Sequence, residues 1–241
     1  MSFSLTLTSL LLPLLLSVRL TIATAAGDEA ALLGFKAGIT GDISSALAAW
    51  NSSTSFCSWE GVTCSHGRWP PRVVALSLTS LGLAGTLSPA IGNLTFLRRL
   101  NLSYNWFHGE IPPSIGRLRR LQALDMRDNS FSGTIPANLS FCTSMTYLHL
   151  GSNQFHGRIP PELGNMLTRL QKLRLPNNSF TGPIPSSLAN LSSLYFLDLS
   201  LNNFEGPVPP QLGSIRGLEV VDVFQNSLTG ILANDSLPYI L

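Results

Sequence analysis

Aliphatic residues recur in this chain at a fixed interval. Aligned at Leu97, Leu121, Met145, Leu170, Leu194 and Leu218, each copy is apolar at positions 1, 4 and 6 and carries Asn at position 9. The spacings are 24, 24, 25, 24 and 24 residues, and an earlier copy opens at Val73. A period of that length predicts stacked units, each burying its apolar side against its neighbours, in place of one central core. Such a stack offers a long shaped surface and no deep catalytic pocket.

Positions 4 and 6 alternate with variable residues, the period of a short strand with one buried face. Position 4 holds Leu76, Leu100, Leu124, Leu148, Leu173, Leu197 and Val221; position 6 holds Leu78, Leu102, Met126, Leu150, Leu175, Leu199 and Val223. Stacking predicts a parallel sheet with about 4.8 Å between strands. Asn105, Asn129, Asn153, Asn178, Asn202 and Asn226 share position 9, where the first copy has Leu81. Inward amides need partners for both donors and the acceptor, so these are expected to form a ladder to the backbone of adjacent turns. Phe107, Phe131, Phe155, Phe180 and Phe204 then fill one apolar slot. Position 13 is Gly in all seven copies, Gly85 to Gly230, which predicts a bend that a Cβ would obstruct. Pro112, Pro136, Pro160, Pro185 and Pro209 bar a continuous α-helix on the outer side, which predicts short strands and 3₁₀ turns there. Position 22, read as Leu94, Leu118, Cys142, Met166, Leu191 and Ile215, is expected to be a buried column in which Cys142 is a free thiol acting as a small hydrophobe.

Only 12% of the 241 residues are charged and the net charge is +2, too mild for a nucleic-acid partner. No G-x-S-x-G, P-loop, H-E-x-x-H or G-x-G-x-x-G motif occurs, so neither an enzyme nor a cofactor is expected. His108 and His156 share position 12 but stand two copies apart, roughly 10 Å, too far for one metal ion. Leu5–Val18 is almost wholly apolar and is followed by Ala23, Ala25 and Ala26, which reads as a secretory signal peptide over residues 1–26. It lacks a basic residue ahead of the apolar run, which is short for a membrane span of about 20 residues. No later run reaches membrane length. On the secretory route Cys57 and Cys64 are expected to pair, closing a loop worth about 2–3 kcal/mol, since a metal site there needs two further ligands.

The repeat, L-x-x-L-x-L-x-x-N-x-[FL]-x-G-x-[IVL]-P, resembles the plant-specific leucine-rich repeat. Upstream, Asp28–Ile39, Leu47–Trp50 and the Cys57–Cys64 segment with Trp59, Gly61 and Val62 resemble the plant N-terminal capping domain. The two matches cover about residues 28–230 and are similar to ectodomains of plant receptor-like kinases, including the flagellin-sensing and bacterial-blight-resistance types. The resemblance implies an α/β solenoid: a right-handed superhelix with a parallel concave sheet, a convex side of short strands and 3₁₀ turns, and a helical N-terminal cap. It divides the chain into residues 1–26, a cap over 27–71 and about seven repeats over 72–241, the last incomplete because it lacks its Pro after Gly230. It also implies extracellular recognition of a peptide or protein, with a co-receptor ectodomain as second partner. The chain is read as the N-terminal portion of such an ectodomain, without its own membrane span or kinase. The alternatives are a secreted inhibitor of a pathogen hydrolase, similar to polygalacturonase-inhibiting proteins but without their C-terminal cysteine pair, and a truncated non-signalling fragment.

The variable strand positions are expected to face outward on the concave side. The candidates there are Arg99, Tyr104, Asp125, Arg127, Tyr147, His149, Lys172, Arg174, Tyr195, Phe196, Asp198, Asp222 and Phe224. Aromatic and arginine side chains are the usual anchors of binding surfaces. A second group, Arg98, Arg99, Arg117, Arg119 and Arg120, suits an acidic ligand or forms a solvated basic patch. Sequons at Asn51, Asn93, Asn101, Asn138, Asn177, Asn190 and Asn234 are glycosylation candidates. A glycan on Asn101, mid-strand, is expected to block that end of the concavity and direct binding to later copies.

Overall fold

The computed structural model describes residues 27–67 and 70–229. The signal-peptide segment, Gly230 and the Asn234 sequon lie outside them. No helix among the described residues is long and apolar enough to cross a membrane.

Each copy contributes one strand to each of two sheets. On the concave side run β3 (Val73–Ser77), β5 (Arg99–Asn101), β7 (Ala123–Asp125), β9 (Tyr147–His149), β11 (Lys172–Arg174), β13 (Phe196–Asp198) and β15 (Val220–Asp222), parallel and in sequence order. Position 4 meets position 4 throughout: Leu100 is opposite Leu124, Leu124 opposite Leu148, Leu148 opposite Leu173. The second sheet runs through β4 (Leu83–Thr86), β6 (Trp106–Gly109), β8 (Ser130–Gly133), β10 (Gln154–Gly157), β12 (Ser179–Gly182), β14 (Asn203–Pro207) and β16 (Ser227–Thr229). Beyond it lie 3₁₀ turns such as Pro113–Arg117, so the proline column excludes long helices as expected.

Between the sheets the phenylalanine slot becomes a stack. Phe107, Phe131, Phe155, Phe180 and Phe204 are fully buried, with centroids 5.8–6.2 Å apart and rings within 11° of parallel. Alongside runs the amide ladder. Asn153 Nδ2 donates to the carbonyls of Met126, Leu150 and Gly151, and its Oδ1 accepts from Phe131 N at 2.9 Å. Asn129, Asn178, Asn202 and Asn226 repeat that pattern one copy at a time. At the first copy Asn105 Oδ1 accepts from Leu81 N and Leu83 N, so Leu81 is held by its neighbour's amide. Gly109 shows why position 13 is Gly: its φ is +77°, a conformation that L side chains rarely adopt.

The cap closes one end of both sheets. A parallel stack leaves an open strand edge, which templates unwanted pairing unless covered. Here β1 (Ile39–Asp42) pairs antiparallel with β4, and β2 (Val62–Cys64) pairs antiparallel with β3. The helix α1, residues 27–36, carries Phe35 to within 6.2 Å of Phe107, and Trp50 and Trp59 extend the aromatic stack. Cys57 and Cys64 form a disulfide, which ties β2 to the turn before it. Asp28, fully buried, holds Arg72 bidentately at 2.8 and 2.9 Å and accepts from Val73 N, fixing α1 to the first repeat.

One column needs correction. In the 25-residue copy Leu167 is fully buried and Met166 is 43% exposed. The extra residue sits in the convex turn, where the other copies have five-residue 3₁₀ turns and this one closes a six-residue α-helix, α2 (Pro161–Met166). Position 22 is therefore Leu167, displaced by one. Cys142 is buried and free; its Sγ lies 3.3 Å from Ile115 O, and burial pushes its thiol up to about 12.

Candidate functional site

Strand alternation turns positions 3, 5 and 7 of every copy onto the concave face. From β5 to β15, position 3 reads Arg99, Ala123, Tyr147, Lys172, Phe196, Val220 and position 5 reads Asn101, Asp125, His149, Arg174, Asp198, Asp222. The parallel register brings these side chains together across adjacent strands.

The centre of the face is a connected polar cluster. Asp125 lies 3.6 Å from Arg127 Nε and 3.8 Å from His149 Nδ1. The Tyr147 hydroxyl is 3.2 Å from His149 Nδ1. One strand on, Arg174 pairs with Asp198 at 3.4 Å, and Asp198 Oδ1 accepts from Ser200 N and Oγ. Cations stack on rings around this cluster: Arg127 on Tyr104, Lys172 on Tyr195 and Arg174 on Phe196, at 5.1–5.3 Å.

Not every candidate faces solvent. Asp125, His149 and Asp198 are buried, 8%, 4% and 5% exposed, which corrects the expectation that all variable strand positions face outward. Each packs against a larger neighbour on the face: Asp125 against Arg127, His149 against Tyr147 and Asp198 against Arg174. Gly151 makes room for the imidazole, since a Cβ there would stand 3.0 Å from His149 Nε2. Burial, then the positive charges of Arg174 and Arg127, hold His149 down to about 3, so it is neutral near pH 7. The 3.8 Å contact with Asp125 is therefore not an ion pair. Burial raises the Asp125 carboxyl above its ordinary value despite the Arg127 backbone N–H and guanidinium, and burial also raises the Tyr147 hydroxyl.

Half-buried Arg127, Tyr147, Lys172, Arg174, Tyr195, Phe196 and Asp222 form the accessible surface, with exposed Arg99 and Phe224 towards either end. Tyr104 lies beyond its strand on the rim, in the left-handed region at φ +56°. Position 8 takes that conformation in every copy: Ser80, Asp128, Ser152, Asn177, Leu201 and Gln225 have φ between +50° and +57°. Periodicity did not reveal this, because no single residue type holds that position. It also missed Trp106, 64% exposed beside Tyr104, although position 10 elsewhere holds Gly82, Ser130, Gln154, Ser179, Asn203 and Ser227. Among the sequons, Asn51, Asn93, Asn138, Asn177 and Asn190 are exposed. Asn101 is half-buried, its Oδ1 accepting from Ser103 N and Oγ.

Comparison with known proteins places this architecture. Residues 25–65 match the leucine-rich-repeat N-terminal domain, and residues 96–118, 120–142, 144–166, 169–191 and 193–215 match leucine-rich repeats. The chain is 48% identical over 85 residues to the receptor kinase-like protein Xa21 of Oryza sativa subsp. japonica, covering 34% of this chain and 8% of that one. It matches under a tenth of the length of such relatives. It is similar to the Arabidopsis receptor kinase HAESA, solved in complex with the peptide hormone IDA and the co-receptor SERK1, with a TM-score of 0.71 and 27% identity over 83% of this chain and 38% of that one. It is also similar to the leucine-rich-repeat ectodomain of the receptor kinase SOBIR1 from Arabidopsis thaliana, with a TM-score of 0.63 and 32% identity over 74% of this chain and 95% of that one. With the N-terminal domain and repeats matched, and 32% identity to a receptor-kinase ectodomain of which it covers 95%, this chain belongs to the plant family of leucine-rich-repeat receptor ectodomains.

Proposed function

We propose that the chain is the ligand-recognition portion of an extracellular plant receptor, that it binds a peptide or protein on its concave face, and that it is not itself an enzyme. We further propose the division into a leader over residues 1–26, a cap over 27–71 and repeats over 72–241, and a co-receptor ectodomain as a second partner. The observation that carries this reading is the concave cluster. Tyr147, Arg174, Tyr195 and Phe196, of the aromatic and arginine types that anchor binding surfaces, converge with Lys172 on three adjacent strands over a buried polar floor. The Nε atoms of Arg127 and Arg174 are buried without a hydrogen-bond partner among the described residues, so neither guanidinium is saturated by its carboxylate. Similarity to a receptor solved with a peptide hormone and a co-receptor supports the same reading.

Affinity selection of a secreted-peptide library against the folded chain tests it. Selected peptides are expected to lose at least 10-fold in affinity on Tyr147→Ala/Lys172→Ala/Phe196→Ala and to bind the convex-side variant Glu162→Ala/Arg158→Ala unchanged. Peptides that bind both variants equally overturn the concave assignment.

A further inference from the structure

Charge is unevenly spread along the solenoid. Residues 70–120 contain six arginines and one acidic residue, Glu110, a balance of +5; with +2 for the whole chain, the remainder carries −3. Arg98, Arg99, Arg117, Arg119 and Arg120 are all exposed, and none is paired with a carboxylate among the described residues. Four of them gather where the convex turn re-enters the concave strand. Arg98 precedes β5 and Arg99 opens it, while Arg119 and Arg120 lead into the next copy. Like charges left together this way repel, so their retention without counter-charges points to an anionic occupant.

The edge is also partly preorganised. The Phe96 ring lies between the guanidiniums of Arg72 and Arg120, at 4.1 and 4.2 Å. Arg119 lies 5.7 Å from the Phe141 ring. These stacks hold the arginine planes while leaving N–H edges for a ligand. Beside them Arg98 and Arg99 border a cleft whose other walls are Thr63, Cys64, Ser65, His66, Val74 and Gln122; Thr63, Ser65, His66 and Gln122 supply donors and acceptors suited to hydroxyl groups.

We propose that this edge binds an acidic polysaccharide, whose carboxylates pair with Arg98, Arg99, Arg119 and Arg120 and whose hydroxyls enter the cleft against the cap. The site lies at the cap end of the solenoid, takes in the concave residue Arg99, and is separate from the cluster around Tyr147 and Phe196. One exposed ion pair contributes little by itself, so the occupant must engage several at once, as a polymer with repeated carboxylates does. A peptide would call for apolar anchoring pockets, and the Phe96 ring beside this cleft is taken up by two guanidiniums.

Binding of the secreted full chain to immobilised polygalacturonate tests this. Binding is expected at low salt, weakening as salt screens the pairs, and is expected to vanish on the methyl-esterified polymer. Arg98→Ala/Arg119→Ala/Arg120→Ala is expected to lose at least 10-fold, with an unchanged thermal midpoint. Arg158→Ala/Arg169→Ala/Arg216→Ala, which removes the same charge from exposed sites elsewhere, is expected to stay within 2-fold of wild type. Equal loss in both variants, no binding to polygalacturonate at low salt, or equally tight binding of poly-glutamate overturns the proposal.

Discussion

The phenylalanine stack and the concave face run side by side through the same copies, about one strand layer apart. One repeats the same residue from Phe107 to Phe204, with every ring fully buried. The other changes at each step, from Arg99 to Ala123, Tyr147, Lys172 and Phe196 along position 3 alone. The inner column meets the same neighbour above and below, so one solution serves every copy. The outer column meets solvent or a partner, and no physical demand of the stack sets its identity. Repetition therefore marks what holds the solenoid together, and its failure marks where recognition is free to be specified.

Three measurements sharpen that contrast, from the largest expected effect to the smallest. Phe155→Ala removes a ring stacked on both sides, at 6.2 Å from Phe131 and from Phe180. It is expected to cost about 3–5 kcal/mol in denaturant unfolding, whereas truncating half-buried Lys172 is expected to cost under about 0.5 kcal/mol. Equal losses at the two sites would erase the distinction between scaffold and surface. Asn153→Ala is expected to cost about 2–4 kcal/mol, because Phe131 N is left without its acceptor and three carbonyls lose a donor. A loss below 1 kcal/mol would show that water replaces the amide and that the ladder is not structural.

The smallest effect probes the floor of the concave face. Unfolded, the His149 imidazole takes a proton near its ordinary 6.5; folded, it does so only at about 3. This group's contribution to stability is therefore complete above pH 6.5 and is lost as the pH falls from 6.5 towards 3. Asp125 acts in the opposite sense, since its raised carboxyl keeps a proton in the folded chain at a pH where the unfolded chain has released it. That opposition is least at the upper end of the window. Between about pH 6.5 and 5.5 wild type is expected to lose up to about 1 kcal/mol more than His149→Gln. Parallel pH profiles for the two proteins would place His149 in contact with water and out of the floor.

Much of the scaffold was legible because a stack imposes the same demands on every copy. The leucine pairs at positions 4 and 6, the amide ladder and the outer turns are each a local consequence of period and residue type. The failure at Met166 has the same origin. An insertion shifts the register within a turn, and only packing decides whether Met166 or Leu167 takes the buried slot. The candidate surface was legible as a set of columns, not as a surface. Sequence grouped Asp125, His149 and Asp198 with the exposed positions because alternation gives direction and says nothing of what neighbouring side chains cover. It passed over Trp106, whose position lies outside the strand pattern.

The sequence by itself determined the repeat, the sheet it builds and the columns that hold it, because burial at fixed spacing is a property of the chain. The tertiary structure decided the rest. Stacking placed Arg127 and Arg174, from the copies on either side, around the buried His149 imidazole and fixed its neutral state. It also laid Arg72 and Arg120, 48 residues apart in the chain, on opposite sides of Phe96. Electrostatics depends on distance through space, and a period of 24 residues turns distant positions into neighbours only once the copies are stacked.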